Sequence, residues 1–192
     1  MRYLGLIALL ACGAAQAEGL RIGLEYEFEK DRKTGMRSDA VGFEVGWEFS
    51  KDSLINRVEL LLDHSRDRNA DSDGFREKEA KVFVRLLHSR SFTDSLAYYV
   101  RGGVGSSLNN EDGFTYAYIE AGLKYEIGTR WEWTAGLREI NAIDGTGGER
   151  VSKFITGPSF SFDKNNEVEL RYVRAFRDKD ARAWQLGYTH KF

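Results

Sequence analysis

The sequence predicts an all-β chain, folded as an antiparallel up-and-down barrel that spans a membrane, with ten strands and with eight or twelve as the alternatives. Three observations carry this expectation. Apolar residues recur at every second position in segment after segment, the period of a strand with one apolar face. Long or very polar connections alternate with short turns, as in a membrane barrel whose termini lie on the short-turn side. A single proline stands against 20 glycines and 13% aromatic residues, a composition that favours strands.

Taken in order, residues 1–17 read as a signal peptide. Arg2 supplies an early cation, an apolar run extends from Tyr3 to Cys12, and Ala15-Gln16-Ala17 forms a small-residue cleavage site. The rival reading takes Leu9-Leu10-Ala11-Cys12 as a lipoprotein signal with Cys12 acylated; in both the chain is exported. Residues 18–192 form the expected barrel. They contain no cysteine, so disulfides and thiolate metal sites are excluded, and no apolar run is long enough for a membrane helix.

The first strand sets Ile22, Leu24, Tyr26 and Phe28 against Arg21, Glu25 and Glu27. The second opposes Val41, Phe43, Val45, Trp47 and Phe49 to Glu44 and Glu48. Val58, Leu60 and Leu62 oppose Glu59 and Asp63, and Val82, Val84 and Leu86 oppose Lys81 and Arg85. The fifth opposes Tyr98, Val100 and Val104 to Tyr99, Arg101 and glycines 103 and 105. Ile119, Ala121, Leu123 and Tyr125 stand against Glu120, Lys124 and Glu126 in the sixth, and Trp131, Trp133 and Leu137 against Glu132 and Arg138 in the seventh. The eighth, around Phe154, Pro158 and Phe162, is the least regular. Val168, Leu170 and Tyr172 oppose Glu169 and Arg171, and the last strand opposes Trp184, Leu186, Tyr188, His190 and Phe192 to Gln185, Gly187 and Lys191.

A soluble sandwich or ligand-binding barrel also alternates, with its apolar face turned inward. Here the polar face interleaves glycine with charge, and the apolar face ends repeatedly in aromatics near the turns. Trp47, Phe49, Trp131, Trp133, Phe162, Trp184 and Phe192 are expected to form girdles at the membrane interfaces. Lys plus Arg number 28 against 30 Asp plus Glu, and this balance carries no bias toward nucleic acid. A mean hydropathy of −0.48 would suit a soluble protein, but alternation averages a lipid face with a charged one.

The last strand, Trp184 to Phe192, alternates aromatic and apolar residues and ends on Phe192. In this the chain resembles the outer-membrane β-barrel class of Gram-negative bacteria, over the whole region after residue 17. The resemblance implies that Tyr188 and Phe192 act as an assembly signal read by the barrel insertion machinery. Gly157-Pro158 through Phe162, with Glu169-Leu170-Arg171-Tyr172, is faintly similar to the small monomeric oligosaccharide porins. That family is longer and has a markedly basic lumen, so its substrate is not carried over.

If the apolar face meets lipid, the charged face lines the lumen. The expected lumen charges are Arg21, Glu25, Glu27, Glu44, Glu48, Glu59, Asp63, Lys81, Arg85, Arg101, Glu120, Lys124, Glu126, Glu132, Arg138, Glu169, Arg171 and Lys191. Acids dominate the first three strands and bases the next two. Held apart by water, these walls make a narrow porin-like channel for small hydrophilic solutes, the first expectation for function. The glycines at 42, 46, 103, 105, 122, 136, 157 and 187 point toward open volume. Zipped together, the charges instead give a closed, salt-bridged barrel serving adhesion, binding or envelope integrity.

A rim hydrolase is the minor alternative. Its candidates are Asp63, His64 and Ser65, but neighbouring strand residues point to opposite faces, so no catalytic residue, metal ligand or cofactor is expected. Asp67, Asn69, Asp71, Asp73 and Gly74 alternate like a calcium loop yet have Lys78 in the twelfth position. The expected partners are outer-membrane lipid and lipopolysaccharide, whose phosphates Arg174, Arg177, Lys179 and Arg182 could contact.

Overall fold

The computed structural model describes residues 18–32, 35–68, 75–108, 115–143, 150–177 and 181–192, with the side chains of 67, 68, 75–79 and 177 left aside. The segment 1–17, expected to be a signal peptide, and positions 69–74 lie outside the described residues.

Ten antiparallel strands close into one barrel, each paired with its sequence neighbours and the first with the last. They are β1 (Gly19–Asp31), β2 (Arg37–Glu48), β3 (Arg57–Arg68), β4 (Phe75–Ser91), β5 (Leu96–Ser107), β6 (Thr115–Ile127), β7 (Trp131–Ala142), β8 (Arg150–Ser161), β9 (Asn166–Arg177) and β10 (Ala181–Lys191). This is the predicted count and order. The strands run past the alternating segments that announce them, because pairing continues beyond the apolar band. About 9–11 residues cross a bilayer, whereas β1 has 13 and β4 has 17. The extensions carry charge, such as Lys30-Asp31 and Arg37, which a ladder tolerates in water.

Short turns gather at one end, here the turn end, and β1, β3, β5, β7 and β9 finish at the other, the loop end. Local chemistry fixes the turns. Gly128, at φ 69°, opens the β6–β7 turn in the left-handed region that glycine occupies freely. In the β8–β9 turn the Asp163 carboxylate accepts from the backbone N–H of Asn165 (2.7 Å) and of Asn166 (2.8 Å). The Asn166 side-chain amide and the Asn165 backbone N–H hold that carboxyl below its usual pKa. Asn56 joins two turns: its amide donates to the carbonyls of Lys51 (3.1 Å) and Ser53 (3.2 Å), and its oxygen accepts from the Ser89 N–H (2.5 Å).

Pro158 sits on the outward face of β8. It lacks the N–H that a ladder uses, and the β8–β9 pairing is interrupted between Thr156 and Ser159. There the two backbones crowd. A Cβ placed on Gly157 would lie 1.9 Å from the Leu170 carbonyl oxygen and 2.8 Å from the Arg171 Cα. Gly187 differs, since its nearest neighbour would be 3.8 Å away.

Two substitutions test this account. Gly157→Ala is expected to cost about 1–3 kcal/mol or more through forced separation of β8 and β9, and Gly187→Ala to leave the urea midpoint of the refolded barrel nearly unchanged. Equal midpoints for the two variants would show that residue 157 is not a close-approach site.

Candidate functional site

The interior changes character along the barrel axis. Toward the loop end it is apolar and packed. Ile155, Val173 and Ala183 form one buried cluster, and Val151, Ala175 and Ala181, with Ile140 against them, form another. Phe83 meets Tyr116 edge-on at 5.2 Å between ring centroids and Tyr118 at 6.5 Å. These rings fill the space above Gly103 and Gly105, where an added Cβ would lie within 3 Å of Tyr118 or Phe83.

The middle of the lumen is an ionic belt. Glu59 receives Arg85 (2.8 Å), Arg57 (2.9 Å) and, more distantly, Arg101 (3.9 Å). Glu44 binds Arg85 and lies 3.4 Å from Arg21, and Glu48 is 3.5 Å from both Arg21 and Arg57. Four arginines thus share three glutamates across β1 to β5. The acidic and basic walls read from the sequence are in direct contact.

A second cluster lies against the first. Glu120 accepts from Arg138 Nε (2.7 Å) and from the Tyr99 hydroxyl (2.9 Å). The register sets Glu120 between Arg101 on β5 and Arg138 on β7. Tyr99 reaches it by lying over Gly122 and Gly136, themselves register partners, where added Cβ atoms would come within 2.7 Å and 2.4 Å of its ring and hydroxyl. Gly46 likewise seats the Arg21 stem, at 2.7 Å from an added Cβ. At these positions the lumen glycines therefore mark occupied space; each is the seat of a large neighbour, which one-dimensional spacing does not reveal.

Toward the turn end the lumen widens into a cavity of about 530 Å³. Its walls include Lys124, Glu126, Glu132, Glu167, Glu169, Arg171 and Lys191, its mouth the Gly128 to Trp131 turn, and its floor Arg85, Arg101 and Glu59. Lys124 pairs with Glu132 (2.9 Å), Lys191 with Glu167 (3.5 Å), and Arg171 with Glu169. Glu25, Glu27 and Asp63 surround a separate space of about 20 Å³, room for about one water. Gln185 donates to Glu27, and Lys81 stands opposite Asp63 in the β3–β4 register.

Sequence reasoning missed Arg57, Glu29 and Lys153, the last two paired at 3.4 Å, together with Glu167. It also missed the inward Leu61, Phe83 and Val173. The available signal was parity, since all of these occupy the same alternate positions as the charges.

Outside, Trp131, Trp133, Phe162, Trp184 and Phe192 are exposed, and Trp47 and Phe49 are half-buried. Trp131, Phe160 and Phe162 make a chain of ring contacts at 4.7 and 5.0 Å near the turn end, whereas Trp184 packs on Tyr172 near the loop end. The Phe192 N–H donates to the Leu20 carbonyl (2.8 Å), and the Tyr188 hydroxyl to Asn166 (2.6 Å). His64 is exposed on the opposite face from Asp63. His88 meets the Tyr98 hydroxyl at 3.1 Å, and His190 meets Asn166 at 2.9 Å.

No protein-family model and no curated protein matches the sequence. Solved structures do. The translocator domain of the autotransporter NalP from Neisseria meningitidis aligns with 100% of this chain and 95% of its own, at 12% identity and TM-score 0.52. The β domain of the Bordetella autotransporter BrkA aligns with 92% of this chain and 100% of its own, at 10% identity and TM-score 0.59. At such identities the likeness shows the fold alone. This chain has the fold of the outer-membrane β-barrels.

The belt yields a graded prediction. Glu59→Ala leaves its arginines facing one another with less counter-charge in a buried site, a change expected to cost about 3–5 kcal/mol. Glu132→Ala breaks a pair about a quarter exposed on each side and should cost at most about 1 kcal/mol. Unfolding midpoints, followed by gel mobility of heated and unheated samples, would contradict the ranking if the Glu132 variant were the weaker protein.

Proposed function

We propose that this protein is a closed, salt-bridged outer-membrane barrel that displays its loops, serving adhesion, binding or envelope integrity. The observation that carries this reading is the burial of Glu59 and Glu120, 1% and 2% exposed in the middle of the lumen. A carboxylate on the wall of an aqueous pore is hydrated. Here guanidinium groups and a tyrosine hydroxyl take the place of that water, and the apolar cluster above them adds a second closure.

Barrel wiring puts the turn end and both termini in the periplasm and the loop end outside. The cavity of about 530 Å³ then faces the periplasm as a blind chamber with charged walls. A porin-like channel for small hydrophilic solutes is the second reading, favoured by that chamber, and it requires the belt and the Phe83, Tyr116 and Tyr118 stack to part. Residues 1–17 serve as the export signal, and Tyr188 and Phe192 are offered to the insertion machinery. No catalysis is assigned, since Asp63 and His64 face opposite ways.

Planar-bilayer recording separates the two readings. The refolded protein, verified by heat-dependent gel mobility, is expected to be silent. Stable ionic steps in the wild type, made more cation-selective by Arg101→Ala, would overturn the closed-barrel reading.

A further inference from the structure

Strand register brings together four cations that the sequence scatters over 152 positions, from Lys30 to Arg182. Arg37 on β2 pairs with Lys30 on β1, Lys30 with Arg182 on β10, and Arg182 with Arg174 on β9. All four are exposed, and all share the outward parity of Phe28, Trp184 and Tyr172. At about 4.8 Å per strand they form a row roughly 15 Å wide.

Like charges set directly opposite one another weaken a sheet unless something neutralises them. Among the described residues no carboxylate forms an ion pair with any of the four. This sets them apart from Arg150, which pairs with Glu139. Beyond Arg174 the same register row continues through Phe154, Leu137, Ala121 and Val100, none of them charged.

Height on the barrel identifies the counter-charge. One outward step toward the turn end, Phe28, Trp184 and Tyr172 form a register row of aromatic rings, the residue type that settles at the boundary between acyl chains and headgroups. The cations therefore stand at headgroup level. We propose that Lys30, Arg37, Arg174 and Arg182 form a site for the phosphates of lipopolysaccharide, with acyl chains lying along Phe28, Trp184 and Leu186 below. Planar guanidinium groups suit phosphate oxygens, and the loop end faces the leaflet that carries this lipid. The site does not depend on whether the lumen is open.

The test uses the refolded protein in neutral detergent, titrated with bisphosphorylated lipid A, with its dephosphorylated form and with phosphatidylglycerol. Bisphosphorylated lipid A is expected to bind tightest. Arg174→Gln with Arg182→Gln should raise its Kd on the order of 25-fold, about fivefold per cation, while Arg174→Lys with Arg182→Lys retains most of the binding. Lys51→Gln with Arg90→Gln, both exposed at the turn end, should change nothing. Heat-dependent gel mobility confirms that each variant is folded. An unchanged Kd in the double Gln variant, or equal binding of the dephosphorylated lipid, would overturn the site. Equal binding of phosphatidylglycerol would overturn the assignment to lipopolysaccharide in favour of a general anionic-lipid surface.

Discussion

Glu59 lies almost without water among Arg57, Arg85 and Arg101, and the interior of the barrel is organised around keeping it paired. A lone carboxylate in such a place would be untenable, since removing an ion from water costs several kcal/mol even after relaxation. Each neighbour is therefore constrained in turn. Arg85 must also reach Glu44, Arg21 must reach Glu44 and Glu48, and the strands bearing them must stay in register. A slip of one residue would turn these charges into the lipid. The same network that fills the lumen thus penalises misregistration between β1 and β5.

Packing supports the electrostatics. Long side chains from one strand need room over the next, and glycine supplies it. Tyr99 crosses the Gly122 and Gly136 pair to reach Glu120, and the Arg21 stem lies over Gly46. Phe83, Tyr116 and Tyr118 occupy the surface above Gly103 and Gly105. Glycine costs strand stability through chain entropy, and the return is a filled interior. Arg138 gains further from its place beside the Tyr118 ring, 5.3 Å from the centroid, where the ring face attracts its charge.

The sequence made the architecture legible because period two survives in every strand: Leu24 to Phe28 and Trp184 to Tyr188 need only be read alternately. Strand number and wiring follow from that pattern and from the turns. The lumen was legible in kind, since charge on one parity must turn away from lipid. Its state was not. Whether Glu44 meets Arg85 depends on reach across β3, and whether Gly122 is empty depends on Tyr99, 23 positions away. Leu61, Phe83 and Val173 share the parity of the charges, yet an eye following the apolar face passes over them. The strand ends are less legible for a related reason, since the charges of Lys30 and Arg37 interrupt the apolar alternation while their backbones continue the ladder.

The two faces of the sheet use charge in opposite ways. Inside, every described member of the belt is matched with a partner of opposite sign, because the lumen offers little water to a mismatch. At the outward loop end the register does the reverse and aligns Arg37, Lys30, Arg182 and Arg174 side by side. Solvent alone would make this arrangement tolerable but not useful, and substituting any one of the four would relieve it at small cost. The β1–β10 closure is what creates the row, since it joins Lys30 to Arg182 across the seam of the barrel. The cation row exists only when the barrel is closed, so a ligand that bridges it binds the folded protein and not the open sheet, and by that selectivity stabilises the seam.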